Sequence, residues 1–85
     1  MKLPVIKHLV NFAEKNDIDF IHETIETLED LINLESLKDE ELDVIGELLS
    51  NMSGAIEVHK MMQEGKSKSE ALNAFMGRVL KSIDK

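Results

Sequence analysis

The chain has 85 residues with 17 Asp/Glu against 10 Lys/Arg, a formal net charge of −7, and no cysteine, tryptophan or tyrosine. That length allows one domain, residues 1–85, with a thin core, because so short a chain buries only about 60–65% of its unfolded surface. The missing cysteine excludes a disulfide framework, a thiolate zinc site and thiol catalysis, and an apolar share of 42% excludes a disordered chain.

Strand periodicity is nearly absent, and four helical stretches are predicted, making an all-α compact bundle. The first, about 4–15, opens at Pro4, whose missing N–H suits a first turn. Val5, Ile6, Leu9, Val10, Phe12 and Ala13 follow, and Asn16-Asp17 supplies the stop. The second, about 19–33, is capped by Asp17 or Asp19 and repeats Ile21, Ile25, Leu28 and Ile32 on one face. Glu23, Glu26, Glu29 and Asp30 make its outer face.

The third, about 37–64, is capped by Ser36, carries Asp39, Glu40 and Glu41 in its first turn, and ends at Gly65. It has two apolar stripes: Leu42, Ile45, Leu49, Met52 and Ile56 on one, Val44, Leu48, Ala55, Val58 and Met62 on the other. A helix apolar on two sides is covered on two sides. The fourth, about 68–83, opens with Ser67 and Glu70 as a capping box, and Leu72, Phe75, Met76, Val79, Leu80 and Ile83 face inward.

Charge is unevenly placed, with residues 1–58 at −10 and residues 59–85 at +3. So acidic a body disfavours a phosphate backbone, and no nucleic acid partner is expected. The basic end is expected to lie against acidic helices of its own chain or of a second copy. No apolar run reaches the roughly 18 residues of a membrane span, and the first ten residues lack a signal-peptide core, so no membrane association and a cytoplasmic location are expected.

Residue chemistry is sparse. His22 opens "HETIE", which has Glu26 where H-E-x-x-H has its second histidine. His22, Glu26 and His59 are the most that a metal could use, and His8 adds nothing to them. No Glu-x-x-His pair is present, Ser50, Ser53, Ser67 and Ser69 sit where breaks and caps use serine, and Gly46, Gly54, Gly65 and Gly77 form no phosphate loop. The expectation is no catalytic residue, no metal and no cofactor, with a small metalloenzyme on His22, Glu26 and His59 as the enzyme alternative.

The stretch "SNMSGAIEVH" resembles, at a distance, the core motif of the alkylhydroperoxidase-D-like or carboxymuconolactone-decarboxylase-like helical proteins, in which a helix with a Glu is followed by Cys-x-x-Cys-x-x-x-His. Over about residues 40–72 that resemblance places Glu40 on the acidic position, Met52 and Ala55 on the cysteines and His59 on the histidine. It implies a fold and an oligomer, and a cysteine-less relative associated with a redox partner protein, since the thiolate is the reagent. The chain, opening "MKLPVIKHL", also resembles a small bacterial family of short acidic helical proteins without known function.

Gly46, Ser50 and Gly54 invite a mechanical reading too. Four residues apart, they make a small-residue row that lets another backbone approach, or else they mark a break near 51–54 with Ser53 as cap. The surplus stripe on the third helix leads us to expect a homo-oligomer, most simply a homodimer, with Ile45, Gly46, Leu49, Ser50, Met52, Gly54 and Ile56 at the interface. The function expected is therefore a non-enzymatic, self-associating interaction or accessory protein, with a further protein partner open.

Overall fold

The computed structural model describes residues 2–83, with side chains through residue 79. Its described residues form four helices, α1 (Leu3–Lys15), α2 (Asp19–Leu31), α3 (Asp39–Gln63) and α4 (Lys68–Ile83), in an all-α bundle. Leu80 and Ile83, expected on the inner face, lie outside the described side chains.

Each boundary has a local cause. Lys2 precedes α1 in an extended conformation, Pro4 stands in the first turn, and the Lys2 carbonyl accepts from Val5 and Ile6. Asp17 Oδ1 accepts the Asp19 N–H at 3.0 Å, so Asp17 is the acid that opens α2. Ser36 does not cap α3. The capping position is Lys38, whose backbone N–H donates to Glu41 Oε1 at 2.9 Å, and a lysine ammonium has no lone pair to return the bond. At the far end Gly65 takes φ +110°, with Gly65 N–H bonded to the Met62 carbonyl and Lys66 N–H to that of Met61. This is a Schellman ending, which uses a glycine because φ is positive there. Ser67 and Glu70 complete the expected box: the Ser67 N–H donates to Glu70 Oε1 at 2.9 Å and the Glu70 N–H to Ser67 Oγ at 3.1 Å.

The third helix is not broken near 51–54. It runs 25 residues without interruption, because Gly54 is held in place by its neighbours and Ser53 remains in the helix. α3 is the axis of the fold: α1, α2 and α4 all pack on it, and α1 also touches α4. Ile6, Val10 and Val58 are fully buried between α1 and α3, with Ala13, Ile21, Ala55, Met61, Ala71, Leu72 and Phe75 completing the core. A Cβ on Gly54 would lie 2.9 Å from Phe75 Cζ and 3.0 Å from Ile6 Cδ1, so the glycine lets α4 and α1 close on α3.

Two cations of the basic end pair within their own chain: Lys68 Nζ reaches Glu14 Oε1 and Asn11 Oδ1, each at 2.6 Å, and Arg78 reaches Glu57 at 2.8 Å. The bundle is flattened, 43 × 35 × 17 Å. Its accessible surface is 6013 Å², against about 5,100 Å² for a monomer of this length.

Candidate functional site

α2 and α3 are antiparallel, which brings Ile18 and His22 beside Ile56 and His59 at one end of the pair and Ile21 beside Met52 further along. α1 lies against the face they share, near Phe20, Ile21 and Met52. Phe12 of α1 meets Phe20 of α2 edge to face, with ring centroids 6.0 Å apart. The start of α1 is fixed at Asn51, whose Oδ1 accepts the Lys2 N–H at 2.9 Å. Beyond Asn51, toward the N-terminus of α3, α1 no longer covers that face.

Helical periodicity identifies what is uncovered. Val44, Leu48, Asn51, Ala55, Val58 and Met62 follow one stripe along α3. Ala55 and Val58 are fully buried and Asn51 nearly so, while Val44 is 60% exposed and Leu48 40%. The same stripe is core at one end and surface at the other because α1 ends between them. On α2, Phe20, Thr24, Thr27 and Leu31 share the face turned to α1; Phe20 stays 55% exposed beside Phe12, and Leu31 is 40% exposed further along. The Thr24 and Thr27 hydroxyls donate to their own helix, to the Phe20 and Glu23 carbonyls, so this wall offers few free donors. Leu34, in the connecting loop, is 53% exposed. Past the start of α1 the surface between antiparallel α2 and α3 is thus left uncovered, a groove in this α2–α3 arm with exposed Leu31 on one helix and exposed Val44 and Leu48 on the other.

The other stripe is satisfied inside the chain. Ile45 is buried, and Leu42, Leu49, Met52 and Ile56 are half-buried on the side of α3 that faces α2. Of the small-residue row, Gly54 faces Phe75 and Ile6, while Gly46 and Ser50 are exposed with nothing near Gly46. The row is not straight: each four-residue step advances about 40° around a helix of 3.6 residues per turn, which carries it from the open back of α3 round to α4.

Of the titratable candidates, only His22 and His59 come together. His22 and His59 line one groove of about 530 Å³ between α2 and α3, with Lys60 and Gln63 at its edge. Glu26 is not in that lining, and no group of three metal-ligating side chains is present among the described residues. His8 lies apart, beside Phe12 and Phe20. Glu40 is exposed at the start of α3, Ala55 is fully buried in the core and His59 is half-buried, all on one unbroken helix. A second groove of about 560 Å³ separates Leu3 and Pro4 from Leu72, with Lys7 and Lys68 beside it, but the Lys68 ammonium is held by Glu14 and Asn11. Glu70 has a pKa below the ordinary glutamate value, chiefly because its carboxylate accepts the Ser67 backbone N–H; the Ser67 hydroxyl and Lys66 add to this and desolvation opposes it.

Sequence reasoning missed two residues. Asn51 is the single polar residue in the stripe from Val44 to Met62, and that was its signal. Lys2, at the start of α1, gave none.

No described helix is long and apolar enough to cross a membrane. A family model described as a family of unknown function (DUF6952) matches residues 1–84, and the chain belongs to that family. No curated protein and no solved structure shows significant similarity to it.

Proposed function

We propose that this chain is a non-enzymatic helical interaction module that works through the open groove of its α2–α3 arm, and that two free copies cover that groove as a homodimer. The observation that carries the reading is the change along one stripe of α3, from fully buried Ala55 and Val58 to exposed Leu48 and Val44. Fully burying an exposed Val or Leu side chain is worth about 1.5–3 kcal/mol, and Val44, Leu48, Leu31 and Leu34, 40–60% exposed, each retain about half of that to gain from a partner. Among the described residues no group of three metal-ligating side chains competes for the role. The cysteine-less peroxidase-type reading, with its redox partner, rests on sequence resemblance around Glu40 and His59 and gains nothing from an α3 that continues through Ser53.

The homodimer brings two acidic arms together. Residues 19–50 hold eleven carboxylates against one lysine, a net charge of −10. Salt screens that repulsion and strengthens hydrophobic burial, so self-association tightens as ionic strength rises. Light scattering at micromolar concentration in low and high salt tests this. A monomeric mass at both ionic strengths, with native circular dichroism, ends the self-association reading. A dimer that survives Val44→Asp with Leu48→Asp places the contact elsewhere.

A further inference from the structure

We propose that the open end of the groove takes a basic amphipathic helix of a different polypeptide, in preference to a second copy of this chain. The inference rests on the docking role of the arm and names its occupant.

The groove already holds such a helix. α1 presents Ile6, Val10 and Ala13 to α3, and residues 2–15 carry three lysines against one glutamate. Lys2, at its leading end, brings its ammonium within 4.0 Å of Glu47, where both side chains are at least half exposed. The uncovered stretch continues the same floor: apolar Val44 and Leu48 follow Asn51, Ala55 and Val58 in register. Residues 39–50 span about 18 Å at 1.5 Å per residue, enough for about three turns of a docked helix.

Charge selects between the possible occupants. Periodicity sets Glu40 and Glu47 along the α3 edge of the groove, and Glu23 and Asp30 along the α2 edge. Apolar side chains at i, i+3, i+4 and i+7 would sit on Leu31, Val44 and Leu48, and flanking lysines or arginines would reach those carboxylates. A second copy would bring another net −10 to the same place. Two of its cations, Lys68 and Arg78, already pair with Glu14 and Glu57 of their own chain. Complementary charge speeds encounter and suppresses like-charged partners, so a basic helix displaces the homodimer.

The test uses the whole protein and three fluorescein-labelled peptides of about sixteen residues, near the length at which an isolated helix becomes marginal. One has leucines on one face and lysines elsewhere, one has glutamates in place of the lysines, and one scrambles the first so that composition stays and the apolar face is lost. Anisotropy should show saturable one-to-one binding of the first peptide, about tenfold or more tighter than either control, weakening as salt rises. The Val44→Asp, Leu48→Asp double variant makes the arm more acidic yet should lose about tenfold, which a purely charge-driven association would not do. Val44→Ala with Leu48→Ala gives the same readout without added charge, and circular dichroism checks the fold of both. Equal binding of the scrambled peptide, equal binding by both variants, or no saturable binding of the first peptide overturns the proposal. Light scattering on the same samples separates the two readings. A dimer that ignores the lysine peptide leaves the arm an interface for a second copy only, whereas a monomer that binds no peptide removes the docking role with it.

Discussion

The side-chain oxygen of Asn51 accepts the backbone N–H of Lys2 at 2.9 Å across a separation of 49 residues, and so sets where α1 begins to cover α3. Asn51 is 3% exposed, and it stands where the stripe otherwise carries Leu48 and Ala55. Asn51→Ala leaves the Lys2 N–H without that acceptor, and losing a part-buried hydrogen bond costs about 0.5–1.5 kcal/mol. The urea midpoint should fall, and the amides of Val5 and Ile6, bonded to the Lys2 carbonyl, should exchange faster than those of α2. Unchanged exchange at those amides would show that α1 is held without this bond.

Two glycines of α3 should respond oppositely to the same substitution. Gly54→Ala puts a methyl 2.9 Å from Phe75 Cζ and 3.0 Å from Ile6 Cδ1. Overpacking of about 1–3 kcal/mol then exceeds or cancels the gain of about 1 kcal/mol in helix propensity. Gly54→Leu should be worse, and should weaken the single chain itself. A Cβ on Gly46 would point into open space, so Gly46→Ala should raise stability by the propensity gain alone. Chemical denaturation of the two variants side by side checks the sign of each.

Ser67→Ala removes the acceptor of the Glu70 N–H, and loss of such a cap costs about 0.5–2 kcal/mol. An unaltered urea midpoint would assign the cap no role.

Glu70 ties the same cap to pH. Its folded pKa lies below the ordinary glutamate value, with the Ser67 backbone N–H as the main cause. A depressed folded pKa contributes stability that is complete above the unfolded value and disappears as pH falls through the folded one. The contribution should therefore be constant near neutrality and vanish only in acid, and Glu70→Gln should remove that part of the acid sensitivity. A carbon-detected NMR titration should place the Glu70 carboxyl below its value in the urea-unfolded chain; coincident values would contradict the bond.

Phe12 and Phe20 join α1 to α2 by an edge-to-face contact at 6.0 Å. A double-mutant cycle to leucine at both positions should give a coupling of about 0.5–1.5 kcal/mol. A coupling near zero would mean that two half-exposed rings sit side by side without holding the helices.

Much of the fold was legible because its signals are local. Pro4, the Ser67–Glu70 box and Gly65 mark helix ends through backbone groups a few residues away, and the 3.6-residue repeat of Ile21, Ile25 and Leu28 is written in one segment. Ser36 looked as good a cap as any serine, yet α3 begins three residues later, where the Glu41 carboxylate closes on the Lys38 N–H. The sequence also determined that α3 has two apolar stripes. It could not say which would be covered, since coverage depends on where other helices end in space. Tertiary packing turned Gly54 from a possible break into a site of close approach, gave Ile45 and Met52 to α2, and made Asn51 a long-range acceptor. It also left Val44 and Leu48 open, because α1 begins only after Lys2, which is tied to Asn51. The candidate site is thus set by the position of one helix end, which no local pattern encodes.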